Sequence, residues 1–148
     1  MHPERNQHLR RDVGLKIGGS GLDANPFLST QIMQGARKRY NTHLIVNPEG
    51  QIMGNYRKIH LFDVDLSSKG GISIQESASI KRGNKIHDPV YSPCGYLGLS
   101  ISFDIRFPEL YRYQVLKGAQ TLLVPSQFLP VTGATHWNSL LRARAIEN

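Results

Sequence analysis

The apolar positions of this chain fall into short runs rather than long stripes. Arg39 to Val46 reads as a strand, with Tyr40, Leu44 and Val46 apolar. Asn47-Pro48-Glu49-Gly50 is a turn by composition, and Gln51 to Arg57 reads as the returning strand of a hairpin. Leu97 to Phe103 is apolar and β-prone and predicts a buried strand, with Asp104 to Phe107 as a tight connection after it. Pro108 and Glu109 then open a helix, because proline suits a first-turn position and an acid complements the positive end of the dipole. Leu110, Tyr113 and Leu116 or Val115 give this helix an apolar face as far as Lys117, and Gly118 ends it. Thr121-Leu122-Leu123-Val124 is an uninterrupted apolar run, as expected of a strand covered on both faces, and Pro125 closes it. A last helix is expected from Thr135 or His136 through Leu140, Leu141 and Ala145.

The segments between these runs are less patterned. Met1 to Asp12 is polar and is expected to be a mobile tail. Val13 to Ile17 predicts a short strand before Gly18-Gly19, and Ser20 to Gln34 a loop. Lys58 to Asp65 leaves the sheet, Asp65 to Ile74 reads as a loop, and Glu76 to Gly83 as irregular chain. Val90-Tyr91 leads through the turn Ser92-Pro93-Cys94-Gly95 into the central strand, and Phe128 to Gly133 is a further loop. Hairpins followed by strand–helix–strand alternation predict one α/β domain with a mixed sheet.

Composition narrows the class. A chain of 148 residues is ordinarily one domain. A net charge of +7 and a pI of 9.8 raise nucleic acid and acidic membrane surfaces as partners. The basic residues are dispersed, however: Arg10-Arg11, Arg37-Lys38-Arg39, Arg57-Lys58, Lys81-Arg82, Arg142 and Arg144. With no basic helix and no nucleic-acid motif, neither nucleic acid nor membrane is expected as a partner. The single cysteine, Cys94, excludes an internal disulfide and reads as a free, inert or weakly reactive thiol. The first residues lack the apolar core of a secretory signal, and no apolar run approaches membrane-spanning length. A soluble cytoplasmic protein is the expectation.

The candidate chemistry starts from the strand–turn–helix at 97–110. That geometry lifts the residue at the strand end, Ser102, and aims helix N–H groups at the same spot. Three further motifs flank it: Asn55-Tyr56-Arg57-Lys58-Ile59-His60-Leu61-Phe62-Asp63, Gln75-Glu76-Ser77 and Thr132-Gly133-Ala134-Thr135-His136-Trp137. Their order and spacing resemble the nitrilase (carbon–nitrogen hydrolase) superfamily over most of the chain, from about Gly18 or Tyr40 to Asn148.

The resemblance implies an α-β-β-α sandwich with a mixed sheet, present here as one partial domain over 1–148. It implies an amidase for small carboxylate-bearing amides, such as deaminated glutathione or omega-amides of dicarboxylic acids. In that family a cysteine thiolate attacks the amide carbon and a glutamate moves protons. A lysine and a backbone N–H hold the oxyanion, ammonia leaves, and water hydrolyses the thioester. No metal or organic cofactor is implied. Lys58 matches the lysine, and Glu76 matches a second acid that would orient Lys58 or contact substrate. Ser102 stands at the cysteine position, Phe103 supplies the expected oxyanion N–H, and Gln127, Phe128 and Thr132 lie on a loop that would line the substrate pocket. Asp104 is expected as a cap of the elbow and Arg106 as an ion-pair partner, while His60 and His136 read as hydrogen-bonded structural residues.

Serine at position 102 changes the expected outcome. A thiol with a pKa of about 8.5 yields a thiolate beside a cation, whereas a hydroxyl is far more basic and needs a strong base. The family's general-base glutamate is expected upstream of this stretch, and neither Glu4, in a tail, nor Glu49, in a hairpin turn, fits that role. The last helix is expected to be cut at Asn148, short of further strands. Turnover is therefore expected to be absent or strongly impaired. The alternatives are a pseudoenzyme or interaction protein that keeps the scaffold, and a truncated product. Unpaired sheet edges favour aggregation or assembly with a partner, and a homo-oligomer is the expected form if the chain folds.

Overall fold

The computed structural model describes residues 28–32 and 38–148. The strand expected over Val13 to Ile17 and the tail over Met1 to Asp12 lie outside the described residues.

The first sheet has the order β1-β2-β3, with β1 Leu28–Ile32, β2 Arg39–Val46 and β3 Ile52–Arg57, all antiparallel. The β2–β3 hairpin closes where Asn47 Oδ1 accepts the Gln51 N–H at 2.8 Å and Gly50 takes a φ of +83°, a value glycine adopts without strain. A small hairpin follows, β4 Asp63–Asp65 with β5 Ser73–Gln75. The second sheet has the order β6-β7-β8: β6 Val90–Ser92 and β7 Gly95–Leu99 are antiparallel, while β8 Thr121–Leu123 runs parallel to β7. Helix α1, Pro108–Leu116, makes the crossover between β7 and β8.

The two sheets pack face to face. Ile45 and Tyr56 of the first meet Val90, Leu97 and Leu99 of the second in one buried cluster. Gly54 permits this approach, since a Cβ there would lie 2.5 Å from Val90 Cγ2. Helix α1 covers the other face of the second sheet with Leu110, Tyr111 and Gln114, all buried. Gln114 Nε2 donates to the Leu99 carbonyl at 2.6 Å, and the Tyr111 hydroxyl donates to Ser100 Oγ at 2.8 Å. The described residues thus form sheet, sheet and helix, three successive layers of the sandwich.

Several elements depart from the pattern in the sequence. The strand expected from Leu97 to Phe103 stops at Leu99, and Ser102–Arg106 forms a turn of 3₁₀ helix. Apolar character continues there because Ile101 joins the core and Phe103 joins an aromatic cluster, not because the strand continues. Leu28–Ile32, inside the expected loop Ser20 to Gln34, is the strand β1. The loop expected over Asp65 to Ile74 begins and ends in the strands β4 and β5. The run Thr121 to Val124 is not covered on both faces: Thr121 is exposed and the next three residues are half-buried, at the edge of the described sheet. Pro130, expected in a loop, instead opens helical chain. The turn α2, Pro130–Thr132, passes through the π-turn Gly133–Trp137 into α3, Asn138–Glu147. Nor are the basic residues all dispersed, for the Arg57 guanidinium lies 4.0 Å and Lys81 Nζ 5.7 Å from the centre of the Tyr40 ring.

Candidate active site

Chain order separates Lys58, Glu76 and Ser102, but the fold brings them to one cavity of about 1000 Å³. Phe103, Gln127, Phe128 and Thr132 line it as well. Each is held by a different element.

Lys58 follows the last residue of β3. Its backbone is pinned on both sides: its N–H donates to the Asn41 carbonyl at 2.9 Å, and its carbonyl accepts the Gly83 N–H at 2.7 Å. The side chain is 4% exposed, and Nζ lies 2.6 Å from Glu76 Oε2. Glu76 directly follows β5, at the base of the β4–β5 hairpin. The same Oε2 accepts the Phe62 N–H at 2.7 Å, and Oε1 accepts from Asn41 Nδ2 at 3.4 Å. A buried ammonium is tolerable because the carboxylate meets it, and that carboxylate is itself held by two other donors.

Ser102 begins the 3₁₀ turn with a φ of +48°, alone among the described non-glycine residues in having a positive φ. A side chain in that region costs energy, and such strain persists only where the surroundings fix it. Here the Ser102 N–H donates to the Pro125 carbonyl at 2.9 Å. Its Oγ donates to the Gln127 carbonyl at 3.4 Å. The Phe103 N–H lies in the first turn of the helical segment, where N–H groups lack an intrahelical acceptor.

Asp104 caps the elbow and does more. Its Oδ2 accepts the Ile101 N–H and the Tyr56 hydroxyl, both at 2.8 Å. Its Oδ1 accepts the His60 N–H at 3.1 Å and His60 Nδ1 at 2.7 Å. The carboxylate is fully buried. Burial, and then the negative charge of Asp104, push the Tyr56 phenol well above its ordinary range, so the phenol stays a donor. His60, expected to be a hydrogen-bonded structural residue, is bonded in this way and stacks on Phe107 with ring centres 3.6 Å apart.

Arg106 differs from expectation. No carboxylate meets it among the described residues. Its guanidinium lies between the rings of Phe103 and Phe128, at 5.6 and 5.7 Å, and Nη2 donates to Nδ1 of exposed His136 at 3.2 Å. Its Nε is buried without a partner, and the side chain borders the cavity. Cys94 is a free, exposed thiol away from the cavity. Among the described residues no three His, Cys, Asp or Glu side chains converge as a metal centre would require.

Sequence reasoning passed over Asn41 and Tyr56. Tyr56 stands in the same motif as Lys58, but nothing local ties it to an acid 48 positions away. Asn41 carries no signal beyond its place in a strand.

The pattern of the carbon–nitrogen hydrolase family matches residues 13–148, and the chain belongs to that family. It is similar to the deaminated glutathione amidase of Dictyostelium discoideum, 55% identical over 109 residues, which cover 74% of this chain and 37% of that protein. It is also similar to the nitrilase and fragile histidine triad fusion protein NitFhit of Caenorhabditis elegans, at 48% identity over the whole chain and 31% of the relative. The crystal structure of NitFhit superposes with a TM-score of 0.72 at 44% identity over 79% of this chain and 28% of that one. That of Saccharomyces cerevisiae Nit3, a member of branch 10 of the nitrilase superfamily, gives 0.66 at 34% identity, covering 80% and 39%. The fold is the α/β fold of the nitrilase superfamily. The chain spans between 31% and 42% of the length of the curated relatives it matches.

Proposed function

We propose that this chain forms the lysine and nucleophile side of an amidase site for small carboxylate-bearing amides. The observation that carries the reading is the convergence of Lys58, Glu76 and Ser102 on one cavity that Arg106 also borders. In this reading Lys58 Nζ and the Phe103 N–H hold the oxyanion that forms when the residue at 102 attacks the amide carbon. Glu76 fixes the ammonium, and Gln127, Phe128 and Thr132 flank the substrate. Arg106 anchors the carboxylate, which supplies the acceptor its buried Nε lacks. The similarity to deaminated glutathione amidases points to the same substrate class.

Turnover by this chain is strongly impaired. Attack by Ser102 needs a base to take the hydroxyl proton. Glu76 is committed to Lys58, Phe62 and Asn41, and Ser102 Oγ meets only the Gln127 carbonyl among the described groups. That arrangement favours a second reading, a pseudoenzyme that binds the amide without cleaving it. The same proposal takes the chain as one domain in the cytoplasm that assembles with copies of itself. Exposed Leu116, Val131 and Ile146 support the assembly.

The test uses succinamate, an omega-amide of a dicarboxylic acid. Calorimetry is expected to detect binding to the natural chain and its loss in Arg106→Met, and ammonia release is expected to be absent or slight. Rapid ammonia release by the natural chain would overturn the impaired-turnover reading. Absence of binding would overturn the substrate class.

A further inference from the structure

We infer that Asp104 is a positioning residue: its buried carboxylate clamps the elbow that carries Ser102 to the strand end that carries Lys58. The inference rests on the proposed roles of those two residues, and extends it to a group that does not border the cavity.

The clamp is visible bond by bond. One oxygen holds the elbow through the N–H of Ile101, the residue directly before Ser102. The other holds the Lys58 side through the N–H and ring of His60, two residues after Lys58. Tyr56, two residues before Lys58, donates its hydroxyl to Asp104, and that same oxygen accepts the Ile59 N–H at 3.3 Å. Asp104 and Tyr56 together therefore fix the backbone on both flanks of Lys58 and immediately upstream of Ser102. The two segments belong to different sheets, which meet here through side chains rather than a shared ladder. A single carboxylate joining them sets the spacing between the ammonium and the residue at 102. It also gives the positive φ of Ser102 a fixed neighbour, as strained backbone requires.

An acceptor-only carboxylate suits this role, because all four partners are donors. Asparagine has nearly the same shape but presents two donors on one side. Asp104→Asn must therefore turn an amide against either Ile101 and Tyr56 or His60, which releases one half of the clamp.

The readout is a thiol placed at position 102, in the 148-residue chain carrying Ser102→Cys and Cys94→Ser. The alkylation rate by iodoacetamide is followed against pH. Beside Lys58 and the first-turn N–H groups the introduced thiol should react as a low-pKa thiolate. Adding Asp104→Asn is expected to slow alkylation at pH 7 about tenfold, equivalent to a thiol pKa about one unit higher. Tyr56→Phe is expected to slow it less, in the same direction. Loss of a buried negative charge would by itself favour the thiolate and speed the reaction, so the sign separates positioning from direct electrostatics. An unchanged or faster rate in Asp104→Asn with native near-UV circular dichroism overturns the clamp. Should Asp104→Asn lose that signal, an unchanged rate in Tyr56→Phe overturns it. An introduced thiol as sluggish as natural Cys94, before either change, overturns the reading of the site itself and the clamp with it.

Discussion

Glu76→Gln tests the central ion pair of the cavity. The substitution keeps the side chain's shape and removes its charge. Lys58 is 4% exposed and Glu76 16%, with 2.6 Å between Nζ and Oε2. Removing one partner of such a pair leaves the other ion stranded, at a cost of about 3–5 kcal/mol. Glutamine can still accept the Phe62 N–H, and position 76 retains some solvent, so the expected loss is about 3 kcal/mol, at the lower end of that range. With a urea dependence of about 2 kcal/mol per molar, the unfolding midpoint should fall by about 1.5 M. Lys58→Met strands the carboxylate in turn and is also expected to destabilise. The double variant Lys58→Met/Glu76→Gln removes both charges and should regain much of what either single change loses. The assay is urea unfolding of all four chains, read as a double-mutant cycle. A coupling energy below about 1 kcal/mol, the range of exposed pairs, would refute the claim that this pair is desolvated.

Burial holds the pKa of His43 below its ordinary value, and its Nδ1–H donates to the Ser100 carbonyl at 3.0 Å. The unfolded chain therefore takes up this proton first as pH falls, and stability should drop below about pH 6.5 by up to about 1.4 kcal/mol per unit. Urea midpoints at pH 7.5 and 5 measure this, and an undiminished slope in His43→Gln would place its origin elsewhere. Gly54→Ala puts a methyl 2.5 Å from Val90 Cγ2, a short, stiff side chain in the core, and should cost about 1–3 kcal/mol. A thermal midpoint within a degree of the natural chain's would show that the two sheets can part at no cost.

Much of the fold was legible where residue chemistry punctuates it. Strand β2 runs from Arg39 to Val46 as expected, although it buries Tyr40, Thr42, His43 and Ile45 and leaves Leu44 and Val46 half-buried, and α1 begins at Pro108 and ends before Gly118 for local reasons of φ and capping. Errors arose where apolar residues serve packing without regular structure. Ile101 and Phe103 prolong an apolar run past the end of β7, because one enters the core and the other faces the cavity. Pro130 and Gly133 look like loop residues but start a helical segment, where a missing N–H does no harm at the first position. At the site, motif order pointed to Lys58, Ser102 and Glu76, and the fold gathers them. The contact between Lys58 and Glu76 spans 18 positions and that between Tyr56 and Asp104 spans 48, distances over which no helical or strand spacing operates. Arg106 misled for a different reason. An arginine near acids suggests an ion pair, yet this one spreads its charge over two rings and a histidine.

The β4–β5 hairpin is an excursion that returns to its own starting point. At its base the Glu76 N–H donates to the Phe62 carbonyl at 3.2 Å and Asp63 Oδ1 accepts the Ser77 N–H at 2.9 Å, so the chain leaves and re-enters through one fixed doorway. Leu66 and Ile72, at the tip, are 44% and 48% exposed, and Gly70 turns there with a φ of +69°. The tip is thus mechanically isolated from the Lys58–Glu76 pair below it. Residues could be inserted or exchanged between Leu66 and Ile72 without changing where Glu76 lands, which makes this hairpin a place where a shared scaffold can diversify its rim while the chemistry underneath stays still.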